Sequence, residues 1–484
     1  MKRNWLFVFA ALLFLTVLAA PVSAWQGRMA GAGDAYGLIE DESDYLTHPA
    51  VIAMSKGFNA YGHYRLTYDK TNKWDYSVRE PGTVYIYPYE AKGDEWKHEG
   101  QVGAAFQLGA GRLGIFFDYV GIKGRYDGSE SYYEHEGDEA DYLSFDLKND
   151  LKSYALRFIY GVPIGAVKLG TEVQIAYRDE EKRVIRIIDG GASINPFTAA
   201  NDYPQYNFFP YMIPFKSRYW EAQGKVSAAG QMGPAKYAVT LKGGVPFATD
   251  NNYVRTEYEF DGKVKGFNVG GDFWLRVPVS ATVVLPFVVS AGYKKMKRNG
   301  SYEDEGAVYE HEAENIFAQL GGGVDVTPAK GTRLAAGIYY TYLQTKQNAY
   351  FDEYNYPDMP EYSEHRLTLK MLAEKELTPA FALRGGFSAF YGFVKSDYAY
   401  QDFSEEGEFN ASADGFVWGL NVSLGATVKL NAVVLEPFLN GGYAWYKTDG
   451  DGILVGPYVG GPYYIETEFK KNDWHVGGGL SVKF

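Results

Sequence analysis

The chain has 484 residues, no cysteine, 17% aromatic residues and a formal net charge of −13. The lack of cysteine excludes a disulfide framework, a thiolate metal site, a lipoprotein anchor and a Cys-x-x-Cys-His haem attachment. So acidic a chain is a poor partner for nucleic acid, and its wealth of Tyr (42), Phe (30), Trp (9) and Gly (56) suits a membrane wall better than a water-filled surface.

The first element, residues 1–24, reads as a cleavable secretory signal peptide. Lys2 and Arg3 supply the positive start, Trp5 to Leu18 the apolar stretch, and Val22-Ser23-Ala24 the small-residue cleavage site. The apolar stretch is short for a bilayer-spanning helix and closes on Pro21. Loss of Lys2 and Arg3 takes the net charge from −13 to −15. Downstream, no run of eighteen apolar residues signals a transmembrane helix.

Residues 25–55 lack strand alternation. They combine Gly31-Ala32-Gly33-Asp34-Ala35 with the acidic group Glu40, Asp41, Glu42 and Asp44, and then His48-Pro49-Ala50. From about Lys56 to Phe484, amphipathic strands take over. The run from Leu151 to Tyr160 sets Tyr154, Leu156, Phe158 and Tyr160 against Ser153 and Arg157. Phe416, Trp418, Leu420, Val422 and Leu424 share one face of another run, with Asn421 and Ser423 on the other. Each run is about ten residues or longer, the span of a tilted transmembrane strand.

Seven short turns, near residues 109–111, 163–165, 233–235, 279–280, 328–331, 378–380 and 430–432, alternate with eight long loops. The loops fall near 70–98, 124–149, 179–217, 250–262, 297–311, 347–362, 397–413 and 448–465. This predicts an all-β fold: one antiparallel transmembrane β-barrel of about 16 strands over 56–484, or 14 to 18 if the loops hide a hairpin. Short turns face the periplasm in such barrels and long loops the outside.

Charges fall on the predicted inward positions, among them Arg157, Arg276, Arg333, Arg366 and Arg384. An Arg facing lipid near the midplane costs about 2–4 kcal/mol, so these side chains are expected in a hydrated lumen, as ion pairs of the wall or as ligand contacts. The outer loops are acidic: residues 124–149 hold eight acids against Arg125 and Lys148. They are expected to be solvated among lipopolysaccharide phosphates, with divalent cations between, or else to form a cation-collecting vestibule. Tyr133-Glu134-His135-Glu136 and Tyr309-Glu310-His311-Glu312 repeat a short pattern whose spacing matches no known metal site. No metal and no cofactor are expected. One loop is different in kind, carrying Phe197, Tyr206, Phe208, Phe209, Tyr211 and Phe215. So much apolar surface must pack on something: neighbouring loops, the pore mouth or a captured apolar ligand.

The last strand places Trp474, Val476, Leu480, Val482 and Phe484 on one face and His475, Ser481 and Lys483 on the other. With its aromatic terminus it resembles the closing strand of bacterial outer-membrane β-barrels. That likeness implies a cell outer membrane location and recognition of Phe484 by the barrel-assembly machinery.

The layout of residues 25–55, with Gly33-Asp34-Ala35, the acidic patch and Pro49-Ala50, resembles the FadL/TodX family of outer-membrane transporters for long-chain fatty acids and other hydrophobic compounds. In that family an Asn-Pro-Ala motif and its neighbours form a hatch plugging the barrel; here His48 stands in place of the Asn. The resemblance implies a hatch built on Asp41, Glu42, Asp44, His48 and Pro49, and a small hydrophobic or amphipathic compound passed into the periplasm. If the segment is a hatch, its acids are expected to dock on lumen cations such as Arg157, Arg276, Arg333, Arg366 and Arg384. Two alternatives stay open: a hydrated diffusion porin narrowed by loop 179–217, and a structural barrel housing a partner protein. A barrel enzyme would need a Ser–His–acid set, and the seven histidines offer no convincing serine partner, so no catalytic residue is expected.

Overall fold

The computed structural model describes residues 26–32, 37–79, 89–132, 141–189, 192–194, 215–255, 258–301, 308–351, 354–402, 407–455 and 463–484. The signal peptide 1–24, Gly33-Asp34-Ala35, Tyr133-Glu134-His135-Glu136 and the loop residues Phe197, Tyr206, Phe208, Phe209 and Tyr211 lie outside them, as do the side chains of Glu42, His311 and Phe215.

Seventeen strands follow a short amino-terminal segment. They are β1 (Asn59–Arg79), β2 (Tyr89–Leu108), β3 (Gly111–Tyr132), β4 (Asp141–Ile164), β5 (Val167–Asp189), β6 (Ala192–Ile194), β7 (Phe215–Met232), β8 (Ala235–Arg255) and β9 (Tyr258–Pro278). The series continues with β10 (Val283–Ser301), β11 (Val308–Ala329), β12 (Thr332–Phe351), β13 (Tyr354–Thr378), β14 (Phe381–Asp402), β15 (Gly407–Leu430), β16 (Val433–Val455) and β17 (Tyr463–Lys483). Sixteen of them form a closed antiparallel barrel in chain order. β5 pairs directly with β7, β17 returns to β1, and β6 is a three-residue rung on the far end of β5. The final rung joins the two ends of the wall: Ala60 N donates to Phe484 O at 3.1 Å and Phe484 N to Ala60 O at 2.9 Å.

All seven short turns fall where the sequence puts them. Gly109, Gly165, Gly233 and Gly331 sit at positive φ there, as does Asn431 with φ 54°, a conformation Asn tolerates better than most side chains. The long connections differ from the expectation. Strands run for 18 to 25 residues, about twice the span a bilayer needs, so much of what reads as loop is paired hairpin beyond the membrane. Leaving lipid removes the need for an apolar face but not the need of each backbone N–H for an acceptor, so the ladder continues after the alternation fades.

On the outward face Leu420, Val422, Leu424, Val476 and Leu480 are exposed, the belt that lipid covers. The buried apolar clusters lie inside, and each combines wall residues with the amino-terminal segment. Met29, Ala32, Leu38 and Ile39 pack on Ala335 and Leu372. Tyr45 and Ile52 pack on Tyr61, Ala105, Phe116 and Ile159. Ala50 packs among Ala229, Ala238, Trp274, Val288 and Tyr339.

Candidate functional site

The segment consists of α1 (Gln26–Gly31) and two 3₁₀ turns, Glu42–Leu46 and Pro49–Met54. Asp41 caps the first turn: its carboxylate accepts from Ser43 N at 2.9 Å, while Asp41 N donates to the Asp44 carboxyl at 3.1 Å. Pro49 opens the second, where its missing N–H costs nothing and its fixed φ fits. These short turns let the chain fold across the barrel without needing a long helix.

The segment's contacts lie close to the short turns, on strands around the barrel. Towards β5, β7 and β8, Ala50 N donates to Ser227 Oγ at 2.6 Å, and a 2.8 Å hydrogen bond joins His48 Nδ1 to Thr240 Oγ1. Lys225 Nζ donates to Leu46 O at 2.6 Å. Across the lumen, Arg28 Nε and Nη2 donate to the two carboxylate oxygens of Glu374, each at 2.9 Å, and Arg28 N donates to Glu436 at 3.1 Å. Arg276 Nη1 donates to Leu38 O at 3.0 Å, and Lys236 pairs with Glu40 at 2.8 Å. The wall is cut to receive the segment at two close approaches. A Cβ on Gly170 would lie 2.1 Å from Ala50 N, and one on Gly386 would lie 2.4 Å from the carbonyl carbon of Ala32.

The charge pairing is mixed in polarity: Glu40 docks on the wall cation Lys236 in the expected sense, while the two-bond grip of Arg28 has the opposite sign. The segment's single cation, Arg28, binds lumen carboxylates, and it also meets Asp41 of its own segment at 3.4 Å. Glu374 in turn lies 3.4 Å from Arg384, which lies 3.6 Å from Glu436, so the charges close a ring joining α1 to β13, β14 and β16. The lumen arginines pair chiefly with wall acids. Arg157 bonds Asp118 at 2.8 Å, Arg333 bonds Asp325 at 2.6 Å, Arg276 shares that Asp325, Arg366 bonds Glu364, and Arg384 also donates to Thr427. The physical reason is proximity: each of these arginines has a wall carboxylate within hydrogen-bond reach, on its own strand or no more than two strands away.

Asp41, Asp44, His48 and Pro49 are all buried. Burial, and then the Asp41 carboxylate beside it, push the Asp44 carboxyl well above the usual carboxylate range. Burial lowers His48 to about 4, so its imidazole is neutral at physiological pH. Its ring meets Trp274 edge-on at 6.1 Å.

Around the segment, ion pairs line the inner wall from β3 to β9. Asp118 pairs with Arg157 at 2.8 Å, Glu172 with Lys225 at 3.1 Å, and Lys242 with Asp272 at 2.8 Å. This part of the lumen is polar. Sequence reasoning missed Arg28, Glu374, Thr240 and Ser227 as contacts. Arg28 alone carried a signal, being the sole Lys or Arg in residues 25–55.

The chain is similar to solved hydrocarbon channels. A deletion mutant of the monoaromatic hydrocarbon channel TodX aligns over 96% of both chains at 10% identity and a TM-score of 0.41. A Pseudomonas aeruginosa FadL homologue aligns over 97% of this chain and 99% of its own, at 12% identity and a TM-score of 0.40. The toluene transporter TodX of P. putida aligns over 96% of both chains at 10% identity and a TM-score of 0.34. No protein-family model and no curated protein sequence matches the chain.

Proposed function

We propose that the protein is an outer-membrane channel for small hydrophobic or amphipathic compounds, closed at its periplasmic mouth by residues 25–55 and delivering its cargo into the periplasm. One observation carries the reading: the segment is bonded to opposite sides of the barrel at the short-turn end, through Ser227 and Thr240 on one side and Glu374 and Glu436 on the other. A diffusion pore has no use for a buried bridge of this kind. A gated transporter needs one that can let go. The cargo class is supported by the resemblance of the segment to the FadL/TodX hatch and by the aromatic composition of loop 179–217. The ion pairs of the inner wall favour a compound with a polar end over a pure hydrocarbon.

The same ion pairs favour a second reading, a hydrated porin. Planar-bilayer recordings separate the two. A gated transporter stays nearly silent and opens when the segment is deleted, whereas a porin shows large steady steps from the start. Mass spectrometry of compounds co-purifying with the solubilised protein tests the cargo. A protein that carries and transports only sugars or inorganic ions would rule the hydrophobic class out.

A further inference from the structure

The lipid-facing wall is hollowed on β11 to β15. Along one row of the ladder Val326, Leu334, Ala373, Gly385 and Leu424 stand directly opposite one another. The centre of that row carries a methyl group and a hydrogen atom, while its flanks carry branched aliphatic chains. In the next row up, Ala336 faces Met371, which faces Phe387. Together these residues form an apolar trough of about 570 Å³. Ala336, Ala373 and Gly385 make its floor, and the exposed Leu334, Met371, Phe387 and Leu424 its sides. It opens outward, because the inner side of the same strands is filled. There Ala335 and Leu372 pack on Met29, Ala32, Leu38 and Ile39, and Gly386 lies against the Ala32 backbone.

The trough climbs away from the short turns. Val326 lies nearer to its turn than Leu424 does to its own. Four strand steps of about 4.8 Å, on strands tilted by about 40°, raise the far end by about 12 Å. One leaflet's share of the hydrocarbon core is about 15 Å. A cation stands at the low end. Lys375 has the outward parity of Ala373, faces Thr332 and Leu383, and donates to Thr332 Oγ1 at 2.7 Å. An ammonium group has three donors, so two stay available. The outward positions around it are Thr332, Leu334, Phe381, Leu383 and Gly385, and none is a carboxylate. Glu374 and Glu376 of the same strand take the inward parity, and Glu374 is held there by Arg28 and Arg384.

We propose that the trough seats an acyl chain of an anionic phospholipid from the periplasmic leaflet, with the lipid's phosphate on Lys375. A cation at the short-turn rim and a hollow rising about one leaflet from it match a lipid whose head points to the periplasm. The chain touches wall atoms below and on both sides, where a convex wall offers contact on one side alone. Lysine donates charge-assisted hydrogen bonds to phosphate oxygens. A zwitterionic head brings a cation of its own towards Lys375, so an anionic head is preferred. The site rests on the barrel's place in the outer membrane and not on what the lumen carries, and its test needs no conductance.

The test uses the full chain in detergent and native mass spectrometry with two added lipids, phosphatidylglycerol and phosphatidylcholine of the same acyl chains. Wild type should retain phosphatidylglycerol in preference. Lys375→Gln should retain it about fivefold less well, the worth of one lysine at a membrane surface, and lose the preference. Ala373→Leu/Gly385→Leu fills the trough, and a Cβ on Gly385 would lie 3.7 Å from Leu424, an ordinary contact. This variant should retain both lipids at least about tenfold less well, the worth of two buried methylenes. The control Ala228→Leu, at an outward position of β7 opposite Leu169, should bind as wild type does. Heat-dependent migration in electrophoresis reports whether each variant is a folded barrel. If the double variant fails to fold, Ala373→Leu takes its place with the same expected direction. Undiminished retention in the filled trough, or equal retention of the two lipids by wild type, overturns the proposal.

Discussion

Arg28 grips Glu374 through two parallel hydrogen bonds, Nε to Oε2 and Nη2 to Oε1, both at 2.9 Å. The planar fork of a guanidinium matches a carboxylate in this geometry, which a lysine cannot reproduce. The bond ties the first helix of the amino-terminal segment to β13, and the other side chains of the ring bring in β14 and β16.

Replacing Arg28 by Gln should therefore loosen the segment. Losing two charge-assisted hydrogen bonds costs about 1.5–3 kcal/mol, held down because Arg384 stays beside Glu374 at 3.4 Å. That corresponds to a roughly ten- to hundredfold rise in the undocked population. Single-channel recording should show frequent openings in Arg28→Gln, and Glu374→Gln added to it should recover part of the closure. A silent trace for Arg28→Gln counts against the bridge as a latch.

Gly170 and Gly386 offer a purely steric test of the same closure. A Cβ at either position collides with the backbone of the segment, at 2.1 Å from Ala50 N or 2.4 Å from the Ala32 carbonyl carbon. Gly170→Val and Gly386→Val should leave the barrel folded, with unchanged heat-dependent migration, while raising conductance and opening residues 25–55 to added protease. A protected segment in both variants would falsify the docked arrangement.

The pH response follows from two buried groups of opposite sign. His48 is lowered to about 4 in the docked segment, against about 6.5 when exposed. Its contribution to docking is present above about 6.5 and is lost as the pH falls toward 4. Asp44 is raised, so its contribution is full at low pH and is lost as the pH rises above about 3.9. Asp44→Asn removes the second effect and should tighten closure at neutral pH. In that background acid should open the channel between about pH 6.5 and 4, and adding His48→Asn should abolish the opening. Identical acid opening with and without His48 refutes the assignment.

Phe484 closes the wall against Ala60 through the two backbone hydrogen bonds of the last rung. Deleting it removes that rung as well as the aromatic terminus. The yield of folded barrel from urea into phospholipid vesicles should fall, and Phe484→Tyr should restore it because both the rung and an aromatic ring remain. Full yield from the deletion would show that the terminal rung is dispensable.

The barrel was legible in the sequence because its two strongest constraints are local. Alternation such as Phe416-Val417-Trp418-Gly419-Leu420 follows from lipid on one side and water on the other, and pairs such as Asn431-Ala432 punctuate it. Strand length was misjudged where membrane alternation ends, since the hairpins continue on backbone bonding alone. Much less of the site was readable. That Asp41, Asp44 and His48 lie together follows from their spacing, but that Arg28 meets Glu374 depends on two positions 346 residues apart. Such a meeting is set by barrel circumference and strand height, which no local pattern encodes. The same holds for Arg157 and Arg366, whose pairs Asp118 and Glu364 come from the wall around them.

The attachment of the amino-terminal segment has a consequence for the order of assembly. It leads into the start of β1 at the mouth where Ala60 and Phe484 seal the cylinder, and its recorded bonds to the wall lie near that same rim. It can be tucked in last, from below, after the cylinder is complete, and no part of the wall has to part for it. Under the proposed gating, release would be the same step run backwards, and the sixteen-stranded shell would keep every hydrogen bond it was built with through each cycle of closing and opening.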